Sequence, residues 1–164
     1  ASVIDGVVKE NTKNAHPFSY KNWVFAHNGG VARKKVINHL TEEFIKEIKT
    51  DDYSEVYFLL IMQFLQESKN IIEAIKKTLN IVRKYSYRGL NFLMSNGENL
   101  YAFRDVSPRH KDLCSYYSLH YLVRNSEVII SSDPLTKDNW IPVNLGELVI
   151  IDENLNIKKT KLVG

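Results

Sequence analysis

From Val56 to Leu65 the chain is apolar on almost every side of a helical turn. Such a helix has no polar face to offer water, so it must be buried between layers. Asp52 and Glu55, at capping-box spacing, predict where it starts. The next helical stretch, Asn70 to Tyr85, has an apolar stripe of Ile71, Ile72, Ile75, Leu79 and Val82, and its other face carries Lys76, Lys77, Arg83 and Lys84. After Tyr85 the period of the pattern changes to two. Leu90–Met94 and Leu100–Phe103 flank Asn96-Gly97, a hairpin signature. Tyr116–Val123, Val128–Ser131 and Glu147–Ile151 read as further strands, and Asn154–Leu162 as a last one. Upstream, Trp23-Val24-Phe25-Ala26 reads as a short buried strand closed by a sharp turn at Asn28-Gly29-Gly30. Val31 to Lys49 suits one helix or two short ones. Two consecutive helices bracketed by runs of strands predict an α+β domain of antiparallel sheets with helices packed outside.

The chain has 164 residues, 44% of them hydrophobic and 25% charged, which excludes wholesale disorder. Its single cysteine, Cys114, excludes an internal disulfide. The Leu113-Cys114-Ser115 setting suits a small core thiol rather than a nucleophile. A formal charge of +3, scattered along the chain, gives no nucleic-acid partner. No apolar run approaches the roughly 18 residues of a membrane span, and no signal peptide is evident, so a reducing cytoplasm is the expected setting. His16, His27, His39, His110 and His120 include no helical i, i+4 pair and no nearby cysteine or carboxylate set, so no metal is expected. Phosphate-cradling and nucleophile-elbow motifs are absent.

Chemistry concentrates between Asn14 and Gly29. Pro17 keeps His16 extended. Further on, a strand leads into His27-Asn28-Gly29. An Asn amide beside a Gly N–H supplies two donors that can converge on one developing oxyanion, each worth about 3–4 kcal/mol in a transition state. By spacing alone the same pair also reads as a turn, as Asn96-Gly97 does.

Asn14-Ala15-His16-Pro17-Phe18 followed by Phe25-Ala26-His27-Asn28-Gly29 resembles the signature of class II glutamine amidotransferase domains, which are N-terminal-nucleophile hydrolases. Thr50–Glu55 lies where that family has a Thr-Asp-Ser-Glu type motif opening a helix. Ser131-Ser132-Asp133-Pro134-Leu135-Thr136 and Trp140 resemble the late Ser-Glu-Pro-Leu segment of its small stand-alone members, and Ala1-Ser2 the end of its Arg-x-Ala-Ser/Thr segment. The resemblance spans essentially residues 1–164 and implies one glutamine amidotransferase domain with a four-layer αββα sandwich.

By the same resemblance, Asn28 and Gly29 form the oxyanion hole, Ser2 helps hold the glutamine α-carboxylate, and an acid near Asp52 binds the α-ammonium. No cofactor is implied; L-glutamine is the substrate, and a separate acceptor-enzyme subunit is a candidate partner. Two departures stand out. The family's Cys nucleophile is expected upstream of Ala1, in a segment this chain lacks. The family Asp two residues before the Glu is here Tyr53, with Asp51 and Asp52 just before it. An inactive amidotransferase-like binding or regulatory subunit is the alternative reading, and an amidase acting on a γ-glutamyl or acyl amide is a third.

Overall fold

The computed structural model describes residues 15–163 together with the two-residue strands β1 (Val3–Ile4) and β2 (Val7–Val8). β3 (Phe18–Tyr20) and β4 (Trp23–Val31) form a hairpin through Lys21-Asn22, with Lys21 at a positive φ. The expected turn at Asn28-Gly29-Gly30 does not exist. β4 runs straight through it, because the partner strand β5 (Tyr87–Ser95) continues to pair there.

Residues 31–49 fold into α1 (Arg33–Val36), a 3₁₀ turn (Ile37–His39) and α2 (Glu42–Ile45). The two long helices follow as α3 (Tyr53–Ser68) and α4 (Ile71–Val82). Asp52 caps α3 by accepting from the Ser54 N–H. Glu55 does not close a capping box. Its carboxylate reaches back past the cap to the N–H groups of Lys49 and Thr50, at 3.0 and 2.8 Å, and to the Thr50 hydroxyl at 2.8 Å. Lys69, in the left-handed region, ends α3, and Asn70 caps α4 through the Glu73 N–H.

The hairpin at Asn96-Gly97 joins β5 to β6 (Leu100–Arg104). A 3₁₀ segment (Pro108–Leu113) then leads to β7 (His120–Arg124), β8 (Glu127–Ser131), β9 (Ile141–Pro142), β10 (Glu147–Ile151) and β11 (Ile157–Lys161). The strand expected from Tyr116 begins only at His120, because the backbone of 114–118 is turned and held by side chains. One antiparallel sheet has the order β11-β10-β6-β5-β4-β3, and a second the order β8-β7-β9.

All four α-helices bury side chains in one core with the large sheet, among them Val36, Phe44, Leu60 and Ile75. α3, buried without a break from Ser54 to Gln63, sits within it, as the all-round apolar surface of that stretch demands. A smaller core of Ala102, Leu119, Tyr121, Val143, Val149 and Ile151 joins the two sheets. The succession of helices, sheet and sheet gives three layers of the αββα sandwich; among the described residues no α-helix packs on the second sheet.

Candidate active site

β4 carries the candidate residues, and its alternation assigns them to faces. Phe25 and His27 point into the helical core; Asn28 points the other way and is exposed. His27 is tied at both ring nitrogens, Nδ1 to the Ser54 hydroxyl at 3.0 Å and Nε2 to the Gly89 carbonyl at 3.2 Å. Burial holds its pKa down at about 4, so the ring is neutral near pH 7. A carbonyl can only accept, so Nε2 carries the proton and Ser54 donates to Nδ1. The start of α3, β4 and β5 are thereby joined through one imidazole.

Gly29 lies one residue further on. It pairs with Leu90, but Leu90 gives its own N–H to Asp105 on the far side of β5. Gly29–Leu90 is therefore a non-hydrogen-bonded pair, and the Gly29 N–H points away from β5. On that side β3 pairs with β4 only as far as Phe25. Among the described residues no strand covers the Gly29 N–H. Only glycine fits here: a Cβ on Gly29 would fall onto the Gly89 carbonyl and within 2.7 Å of His27 Nε2.

The partner strand is held in turn by the segment that leads into the second sheet. The Tyr117 ring covers Gly89, where a Cβ would meet it at 2.8 Å. Asn91, buried and directly across from Asn28, donates to the Tyr117 carbonyl at 3.0 Å and accepts from the Asp105 N–H at 3.1 Å. Arg104 donates to three carbonyls, of Tyr117, Val143 and Cys114, at 2.9, 2.9 and 3.0 Å.

The rim is formed by the first turn of α3 and by β5. Tyr53 lies beside Gly30, its Cζ 4.0 Å from where a Cβ on that glycine would sit, and its ring is 6.0 Å from that of His27. Burial raises the Tyr53 pKa, Asp52 raises it further and Arg88 opposes, which keeps the phenol neutral. Asp52 and His16 both act on His27 electrostatically. Ser2, Ala1 and Asn14 lie outside the described residues. Cys114 is half-buried in a cleft with Arg83, Asp105 and Lys161 that no β4 residue lines. The described residues hold no His, Cys, Asp and Glu cluster able to bind a metal. Arg88, Gly89, Asn91, Arg104 and Tyr117 were not among the candidates; a glycine inside a strand pattern, as at Gly89, was the one available signal.

The profile of the family described as glutamine amidotransferases class-II matches residues 4–126. The chain belongs to the class II glutamine amidotransferases. The "Probable glutamine amidotransferase DUG3" of Saccharomyces cerevisiae is 23% identical over 193 residues, covering 89% of this chain and 54% of its own length. A Haemophilus influenzae relative is 32% identical over 127 residues, 71% of this chain and 37% of its own. The chain thus spans about half or less of these curated relatives.

Among solved structures, a glutamine aminotransferase class-II domain protein from Silicibacter pomeroyi superposes with a TM-score of 0.74 at 23% identity, over 91% of this chain and 72% of that one. The glutamine phosphoribosylpyrophosphate amidotransferase of B. subtilis, solved with ADP and GMP, gives 0.65 at 17%, over 94% of this chain and 33% of that one. Both share the fold. No helix among the described residues is long and apolar enough to cross a membrane.

Proposed function

We propose that this chain is part of a glutamine amide hydrolase that releases ammonia from L-glutamine through a cysteine thioester, the cysteine lying upstream of Ala1. The observation that carries the reading is the placement of Asn28 and Gly29. An exposed carboxamide and an N–H directed off the free side of β4 are adjacent donors on a strand locked by His27 and Gly89. Rigid donors of this kind favour the tetrahedral oxyanion over the planar amide, because they need no reorganisation as charge develops.

The upstream thiolate attacks the side-chain amide carbon. The C=O electrons move to oxygen, where Asn28 and Gly29 hold them; as they return the C–N bond breaks, and the nitrogen takes the proton the thiol gave up and leaves as ammonia, with the thioester formed. Water then releases glutamate and frees the thiol. Asp52, at the cap of α3 and close to His27 and Tyr53, is the acid available to the substrate's α-ammonium. Ser2 is assigned to the α-carboxylate by resemblance. A cytoplasmic setting and delivery of the ammonia to an acceptor subunit belong to the same proposal.

The test is ammonia release from glutamine by the polypeptide that carries the upstream cysteine, compared with its Cys→Ala and Asn28→Ala forms. Turnover that both substitutions abolish supports the reading. A folded protein that binds glutamine and releases no ammonia supports the alternative of an inactive binding or regulatory subunit, for which Tyr53 in the family's acidic place is the favouring observation.

A further inference from the structure

Away from β4, a cleft of about 160 Å³ opens where the end of α4, the exit of β6, the 3₁₀ segment, the turn before β10 and the strand β11 meet. Arg83, Asp105, Ser107, Lys111, Cys114 and Lys161 are among the residues that line it. Asp105 is buried. Its carboxylate is answered from within the protein, by Arg83 Nε at 3.5 Å and by the Tyr87 hydroxyl at 3.5 Å.

The two lysines are not answered in this way. Lys161 gives one of its three ammonium hydrogens to the Leu145 carbonyl at 2.6 Å. Among the described residues no carboxylate lies within ion-pair distance of Lys161 or Lys111. The buried Ser107 hydroxyl accepts from the Arg109 N–H at 3.4 Å, which leaves its own proton to donate. Three cations against one carboxylate leave an excess of two positive charges around the cleft. Protein walls screen that excess less than open water does, so the cleft attracts an anion, and a dianion balances it. A carboxylate brings one charge and a planar face suited to a guanidinium fork. A phosphate brings up to two, on tetrahedral oxygens that ammonium groups can meet from different directions.

We propose that this cleft binds a phosphate group, as inorganic phosphate or as the end of a phosphate monoester, with Lys111, Lys161 and the Ser107 hydroxyl as donors. The site is separate from the candidate donors on β4 and does not depend on the amide-hydrolase reading. A phosphate held there ties β11 to the segment that follows β6, and therefore stabilises the folded state by mass action.

Its test titrates the polypeptide that carries the upstream cysteine with inorganic phosphate and, separately, with glycerol 3-phosphate, at an ionic strength held constant with chloride. Calorimetry and thermal melting read binding. Alkylation of Cys114 by iodoacetamide, resolved by peptide mass spectrometry, reports whether the cleft is the place. Saturable binding with a Kd of about 1 mM or tighter, a raised melting temperature and slower alkylation of Cys114 are expected with at least one probe. Lys161→Met keeps the aliphatic stem of an exposed side chain and should weaken binding at least tenfold, whereas Lys76→Met, on the exposed face of α4, leaves it unchanged. Saturation by inorganic phosphate assigns the site to the free ion, and saturation by the ester alone assigns it to a phosphorylated metabolite. Failure of both probes to saturate, a response that chloride reproduces, binding that Lys161→Met leaves intact, or an unchanged alkylation rate in the bound protein overturns the proposal.

Discussion

Arg104 is the side chain whose loss the structure prices most directly. It emerges from β6, is half-buried, and donates to the carbonyls of Tyr117, Val143 and Cys114. Desolvation lowers its pKa, yet three acceptors keep the guanidinium satisfied. Arg104→Met keeps the aliphatic stem and removes every donor. The Tyr117 carbonyl retains Asn91, whereas Val143, which is 0% exposed, and Cys114 lose the one side-chain donor that reaches them among the described residues. Two stranded carbonyls at about 1–3 kcal/mol each, less the relief of desolvating a cation, give a net loss of about 2–4 kcal/mol. With a urea m-value of about 2 kcal/mol/M, the midpoint falls by about 1–2 M. Urea unfolding followed by tryptophan fluorescence measures it, and Arg104→Lys recovers only part, since an ammonium cannot span three carbonyls in a plane. A loss below about 1 kcal/mol with an unchanged m-value would refute the view that this clamp joins the two sheets.

Asn28→Ala in the complete protein is expected to lower glutamine turnover at least about a hundredfold while moving stability by less than about 0.5 kcal/mol, since the side chain is exposed; steady-state rates and melting measure the two parts. Gly89→Ala pushes the Tyr117 ring out of contact and costs about 1–3 kcal/mol, readable in the same urea titration. Asp52→Ala removes the α3 cap, for about 1 kcal/mol, and raises KM for glutamine. His27 is held neutral in the fold, with a pKa of about 4 against 6.5 unfolded, so the unfolded chain binds the extra proton between those values. Its contribution of roughly 3 kcal/mol is complete above pH 6.5 and is lost as pH falls towards 4; His27→Gln should flatten stability across that window.

The core was legible because period and burial coincide. The all-round apolar run around Val56–Leu65 is the most buried stretch of the molecule, and the stripe of Ile75, Leu79 and Val82 is the buried face of α4. The change to period two predicts β6, β8 and β10 nearly to their ends, and β5 only from Leu90, after its start at Tyr87. Asn28-Gly29-Gly30 was misread as a turn because Asn-Gly is the commonest turn dipeptide. What keeps these residues extended is β5, whose Gly89 lies 62 residues after His27, and the backbone contact that only Gly29 permits. Asp52 was legible as a cap and Glu55 as its partner, but Glu55 bonds to backbone that precedes the cap, where spacing rules do not look. Arg104 and Asn91 left no signal, because both act on carbonyls, and any residue offers a carbonyl.

The same fact separates the candidate donors from the motif residue that differs here. Asn28 and Gly29 are positioned by strand register, by a neutral imidazole and by glycine-on-glycine contact, none of which passes through position 53. In the proposed reading, recognition of the substrate's head group does pass through it, since Tyr53 sits against Gly30 and next to the cap. Exchanging an acid for a phenol there changes which charges remain exposed on the rim while leaving the donors beneath it where they are. Tyr53→Asp separates the two layers. It puts a carboxylate where the family pattern has its Asp and should lower KM for glutamine, with kcat changed by less than about threefold. A collapse of kcat would show that the rim and the donors are one mechanical unit, contrary to the independence read from β4.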